Sequence, residues 1–428
     1  MTDRKTPHQV LKSVWGFDEF RGSQGAIIQA LCDQNDALIV MPTGGGKSIC
    51  FQVPGLVLPG LTIVISPLVA LMENQVNVLV SKCLPAALLH SQLDRSQRQK
   101  ISYAIETQQL KLLYLSPETL LSQGVMARLL NPELKISSLI LDEAHCLVQW
   151  GDTFRPVYQQ LGTVRDRLLA ARPKGTKINI AAFTATANPL EQTTIIRSLN
   201  LNNPIQFVEV PYRSNLVLKK QRVWTPRDRR QKLLNFIQSQ NQTSGIVYVR
   251  TRNDSEELAK WLRSQTIRVA SYHAGLVISK KRDIEEDWME NRLSCVVATS
   301  AFGMGVDKPD VRWVVQYQPP LWLSEYVQEI GRAGRDGSRA TGLTLVSERS
   351  GLLDPLDSTT WKHSIQSMHQ KLKTRSADTA HLELLKSIPK RSEVEHYINH
   401  RGCRWNYIQN FFGNLNLIKP CGHCDRCL

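Results

Sequence analysis

The chain has 428 residues, 42% hydrophobic and 21% charged, ordinary globular usage that excludes wholesale disorder and collagen-like or coiled-coil architecture. At about 100–200 residues per domain, this length predicts two to four domains. Lys and Arg number 53 against 38 Asp and Glu, a net charge of +15 that points to a polyanionic partner, nucleic acid first.

The N-terminus, MTDRKTPHQV, is polar and lacks the apolar core of a secretory signal, so a cytoplasmic location with reduced thiols is expected. From Asp36 to about Leu199, short β-branched runs alternate with amphipathic stretches: ALIV (37–40), LTIVIS (61–66), LKLLYL (110–115), SSLILD (137–142) and KINIAAF (177–183). This rhythm predicts a parallel α/β sheet in a first lobe, residues 1–205. The longest strongly apolar stretch, Leu61 to Met72, contains Pro67 and is too short for the ~20 residues of a membrane span.

Directly after ALIV comes MPTGGGKS (41–48). Glycines there let backbone N–H groups wrap phosphate oxygens at a helix N-terminus. Thr43, Gly44, Gly45, Gly46, Lys47 and Ser48 are the candidate nucleotide contacts, with Lys47 reaching the β/γ-phosphates and Ser48 a ligand for Mg²⁺. The strict pattern begins with Gly where this chain has Met41, so only its GGGKS core is present. SSLILD then runs into Asp142-Glu143-Ala144-His145, two carboxylates at a strand's C-terminal end, Asp142 suited to Mg²⁺ and Glu143 to polarising an attacking water.

NLNNP breaks the periodicity near residues 200–213, and eight basic residues and one acid follow between Arg213 and Lys232. A second α/β lobe, residues 206–348, is predicted from SGIVYV (244–249), RVASY (268–272), SCVVAT (294–299) and VRWVVQY (311–317). Within it, Arg332 and Arg335 of GRAGR are spaced so that one helical face presents both guanidinium groups. After Val346 the rhythm stops, and residues 349–428 are expected to form a helical metal-binding element.

Of nine cysteines, Cys32, Cys50, Cys83, Cys146 and Cys295 sit in apolar surroundings and are expected to be buried small hydrophobes. Cys403, Cys421, Cys424 and Cys427 form a C-x17-C-x2-C-x2-C pattern suited to a closed, structural tetrathiolate Zn²⁺ site. An iron–sulfur cluster is the alternative, since spacing alone does not fix the metal. His423 inside the knuckle reads as a spectator.

Taken together, GFDEFRGSQ (16–24), MPTGGGKS, ISPLVALM (65–72), LDEAHCLVQWG (141–151), FRPVY (154–158), FTATA (183–187), SYHAGL (271–276), VATSAFGMGVDKP (297–309) and QEIGRAGRDG (328–337) closely resemble the motifs of superfamily 2 helicases, specifically the RecQ family of DNA helicases. The likeness runs from Phe17 to Cys427. It implies two RecA-like lobes and a small zinc element, without the winged-helix and helical nucleic-acid-binding modules that many members carry, hence a short form or a core. It further implies ATP with Mg²⁺, movement 3′ to 5′ along single-stranded DNA, strand separation in repair or recombination, and a monomer meeting single-stranded and tailed duplex DNA and single-strand-binding or recombination proteins.

The resemblance also assigns roles. Phe17 offers a face to adenine while Arg21 and Gln24 read its edge. Gln328, Arg332 and Arg335 come from the second lobe to act on ATP held by the first. Gln149, Trp150, Phe154 and Arg155 belong to an aromatic-rich loop that couples DNA binding to hydrolysis, where rings stack on bases and the arginine holds a phosphate. The family commonly has His-Asp at Asp152-Thr153 and Arg at Thr119. The rival reading is a nucleic-acid-binding module that uses ATP only as a switch; an RNA substrate is a third.

Overall fold

The computed structural model describes residues 5–42, 44–67, 69–90, 92–149, 156–241, 243–302, 308–347, 393–414 and 420–428. The chain divides into two compact units, Met1–Val210 and Pro211–Leu428. Each is built on a wholly parallel sheet, as the alternating runs predict.

The first sheet has seven strands: β1 (Ala37–Val40), β2 (Leu61–Ile65), β3 (Ala86–Leu89), β4 (Leu112–Leu115), β5 (Ile136–Leu141), β6 (Asn179–Thr184) and β7 (Ile205–Val208). They are ordered β3-β4-β2-β5-β6-β1-β7. In β1, β2, β4, β5 and β6 every residue is buried, because helices cover both faces and leave no solvent side to demand alternation. This order sets β5, β6 and β1 side by side, Ile39 opposite Phe183 and Leu141 opposite Ala182, so the loops leaving their C-terminal ends emerge together.

The second sheet has β8 (Leu216–Val223), β9 (Gly245–Tyr248), β10 (Val269–Tyr272), β11 (Cys295–Ala298), β12 (Trp313–Gln316) and β13 (Ala340–Ser347), ordered β10-β11-β9-β12-β13-β8. Gly245 stands opposite Trp313, whose indole fills the space a side chain at 245 would need. The helices Glu393–Asn399 and Arg404–Phe411 join the same core through Val394, Tyr397, Trp405 and Ile408. The Trp405 indole N–H donates to the Leu216 carbonyl at 3.2 Å. Leu218 bridges Cys424, and Asp425 N–H donates to the Leu218 carbonyl at 2.9 Å, so the cysteine knuckle covers part of edge strand β8.

Four strands lie outside the runs picked out in the sequence: β3, β7, β8 and β13. The expectation of five buried cysteines is corrected: Cys83 is exposed and Cys32 half-buried, because Cys83 leaves the helix Val69–Ser81 at φ 56°. Among the described residues no helix is long and apolar enough to cross a membrane.

Candidate functional site

The glycine loop leaves β1 and enters the helix Lys47–Val57. Gly44 and Gly46 have φ of 83° and 79°, a left-handed backbone that favours glycine. A Cβ at Gly46 would also collide with the Gln24 amide nitrogen. That nitrogen donates to the Gly45 carbonyl at 2.9 Å, and Gln24 Oε1 accepts the Arg21 N–H at 3.0 Å. Gln24 therefore braces the loop. Phe17 is exposed with the Arg21 guanidinium 5.5 Å from its ring. Thr43 lies outside the described residues.

Lys47 Nζ is buried without a hydrogen-bond partner among the described residues. Such an ammonium is costly unless an anion meets it, and the N–H groups of the loop and first helical turn favour a phosphate at that place. Ser48 is half-buried in the same turn.

Asp142 follows β5 and continues its ladder, its N–H donating to the Ile65 carbonyl at 2.9 Å. Burial, then the neighbouring Glu143 charge, push its carboxyl up to about 6 against the pull of Lys47; the lysine and the carboxylate therefore share one electrostatic site. Glu143 adopts φ 52°, a left-handed conformation uncommon for a non-glycine residue and frequent at functional sites. Its N–H donates to Asp142 Oδ1 at 3.0 Å.

Thr184, at the end of β6, joins the two loops. Its carbonyl accepts the Met41 N–H at 3.0 Å, and its hydroxyl donates to the Thr186 carbonyl at 3.1 Å, so it accepts from His145 Nδ1 at 3.2 Å. The same Nδ1 lies 3.3 Å from Glu143 Oε2. Burial opposes a charged imidazole there, yet the Cys146 and Glu143 side chains outweigh it and hold the His145 pKa well above its ordinary value.

In the second unit Gln328 is half-buried on the helix Leu323–Ile330, and Arg332 and Arg335 follow its end. The expected helical face is corrected here: the two arginines lie in consecutive turns, because Gly334 takes φ 64° and gives its N–H to the Val311 carbonyl rather than to the preceding helix. Both still border one small cavity with Trp288 and Lys308. Arg250, after β9, fixes the helix by donating to Glu325 at 2.9 Å and to both oxygens of Glu329 at 2.9 and 3.0 Å.

The sulfurs of Cys403, Cys421, Cys424 and Cys427 all lie within 4.8 Å of one another, with Cys424 and Cys427 at 3.5 Å, and none is in a disulfide. Tetrahedral Zn–S bonds of ~2.3 Å place sulfurs about 3.8 Å apart, so the four residues fit zinc with no open position. His423 stays out of the set, its Nδ1 donating to the Cys421 carbonyl at 2.5 Å. Of the expected DNA contacts, Trp150, Phe154 and Arg155 and the side chain of Gln149 lie outside the described residues.

Sequence reasoning missed Thr184, Glu209 and Arg250. Glu209 follows β7 and accepts the Ser23 hydroxyl at 2.5 Å, fixing the segment that carries Gln24. Nothing in its local sequence marks that role; FTATA was the available signal for Thr184.

Residues 21–193 match the family described as DEAD/DEAH box helicase, and residues 228–337 the helicase conserved C-terminal domain. The chain is 43% identical over 477 aligned residues to the ATP-dependent DNA helicase RecQ of Synechocystis sp., covering 100% of this chain and 99% of that protein. To RecQ of Haemophilus influenzae it is 35% identical, covering 100% of this chain and 64% of the longer protein. Among solved structures, the Mycobacterium smegmatis helicase Lhr bound to ssDNA and AMP-PNP superposes with a TM-score of 0.62 at 19% identity, over 80% of this chain and 48% of that one. That likeness concerns the fold, which is a pair of RecA-like lobes.

Proposed function

Since this chain belongs to the RecQ family and is an ATP-dependent DNA helicase, we propose that it moves 3′ to 5′ along single-stranded DNA and separates strands in repair and recombination. The observation that carries the site assignment is the buried Lys47 ammonium, without a hydrogen-bond partner among the described residues and acting on Asp142, beside a loop whose glycines leave the backbone open.

On this reading the loop N–H groups and Lys47 hold the ATP phosphates, while Ser48 and Asp142 hold Mg²⁺, which when bound neutralises phosphate charge. Glu143 orients the attacking water and takes its proton. The His145 imidazole keeps the Glu143 carboxylate in place and, through Thr184, ties it to the loop. Gln328, Arg332 and Arg335 meet the charge that develops on the transferred phosphoryl group. Gln149, Trp150, Phe154 and Arg155 contact single-stranded DNA, and the four cysteines hold a structural Zn²⁺.

Matched duplexes with a 3′ or a 5′ single-stranded tail test direction. Displacement with ATP and Mg²⁺ is expected from the 3′-tailed duplex; displacement from the 5′-tailed one alone would reverse the assignment. ATP turnover stimulated by single-stranded DNA with no displacement from either would favour a translocase or switch.

A further inference from the structure

Two residues at the start of the second unit hold the turn that carries Arg332 and Arg335. Arg213 donates from Nη1 to the Gly331 carbonyl at 3.3 Å and from Nη2 to the Gly334 carbonyl. Asn215 donates from Nδ2 to the Gly334 and Ser338 carbonyls, both at 2.8 Å, and its Oδ1 accepts from Arg213 Nε at 3.4 Å. The two carbonyls flank Arg332 on one side and precede Arg335 on the other.

Gly334 is fitted closely to this clamp. At φ 64° it adopts a backbone that L side chains rarely take, and a Cβ there would lie 2.6 Å from Asn215 Nδ2 and 2.8 Å from the Ser338 carbonyl. Asn215 is itself fixed, its carbonyl accepting the Ala340 N–H at 2.9 Å where β13 begins beside β8. Burial and then the Arg335 charge lower the Arg213 pKa from its ordinary value, so the two guanidinium groups feel each other directly. Hydrogen bonds to backbone carbonyls hold Arg213 against the turn, with the Asp336 charge countering that of Arg335.

We propose that Arg213 and Asn215 are positioning residues for ATP hydrolysis, acting through the turn Gly331–Gly334 to set where Arg332 and Arg335 present their guanidinium groups. The inference rests on the reading of those arginines as part of the hydrolytic machinery. A group displaced by about 1 Å from its productive place can cost as much as 100-fold in rate. The clamp matters for turnover while leaving nucleotide contacts of the first unit intact.

The test is a double-mutant cycle on the full chain, measuring ATP turnover stimulated by single-stranded DNA, the KM for ATP and thermal unfolding. Asn215→Ala and Arg213→Lys should each lower kcat about 10- to 100-fold with KM for ATP within about twofold; lysine keeps the charge but cannot span two carbonyls with a planar fork. Combined with Arg335→Ala, either change should add little further loss, since residues acting through one another are not additive. Asn215→Gln, which keeps the amide, should recover part of kcat.

Unchanged kcat in Arg213→Lys, losses that multiply with that of Arg335→Ala, or kcat falling only in step with the folded fraction would each overturn the proposal. An Arg335→Ala variant that hydrolyses ATP at the normal rate would instead overturn the role given to the arginine turn. Arg213→Lys decides if Asn215→Ala does not fold.

Discussion

Lys47 combines two costs that a single substitution separates. Among the described residues its ammonium is buried with no hydrogen-bond partner, and the Asp142 charge acts on it, so Lys47→Met removes a costly buried charge and should leave thermal stability equal or raised. Hydrolysis should fall by about 100-fold or more, the scale seen when a positioned electrostatic group is lost, while single-stranded DNA still binds. Unfolding curves beside ATPase assays check both halves; a marked loss of stability would show that Lys47 has a structural partner. Lys47, Asp142 and Glu143 were legible because GKS and DEAH each directly follow a buried strand, β1 and β5, on either side of β6. The brace from Gln24 to the Gly45 carbonyl was not, since a side chain bonded to a backbone oxygen 21 residues away leaves no periodic trace.

Most strands buried on both faces were legible; β13, buried at all but one residue, was missed because Thr341, Gly342, Thr344 and Ser347 interrupt its apolar run, and three others for different reasons. β3 is a four-residue run after Pro85, β7 is an edge strand with Ile205 and Val208 exposed, and β8 carries Lys219, Lys220 and Arg222, charges that break the apolar run of a strand. Its outer edge is instead covered by the cysteine knuckle through Leu218 and Cys424. With zinc in the tetrathiolate site, the element 393–414 with 420–428 is expected to draw much of its stability from the metal as well as from the packing of Val394, Tyr397, Trp405 and Ile408. Zinc contributes ~10–16 kcal/mol of apparent binding energy in small zinc peptides, enough to decide whether two short helices hold together. One Zn²⁺ per chain is expected by elemental analysis. Cys424→Ser should lower stability and alter the fluorescence of buried Trp405, while ATPase per folded molecule changes less. Full stability without metal, or iron with visible absorption, would contradict this assignment.

For the whole molecule, the two-sheet architecture followed from alternating runs, whereas the motor reading needed motifs from both units at once. The structure adds Thr184 as the tie between phosphate loop and DEAH segment and the carbonyl clamp behind the arginine turn. On the proposed function, hydrolysis at the ends of β1 and β5 drives the separation of strands. Glu143→Gln tests that directly: it keeps the shape of the side chain, removes the base, and leaves Lys47 and Asp142 in place. Single-turnover strand displacement from a 3′-tailed duplex should be abolished together with ATP hydrolysis, while ATP binding persists. Displacement continuing at the normal rate in that variant, or hydrolysis surviving undiminished, would contradict the account.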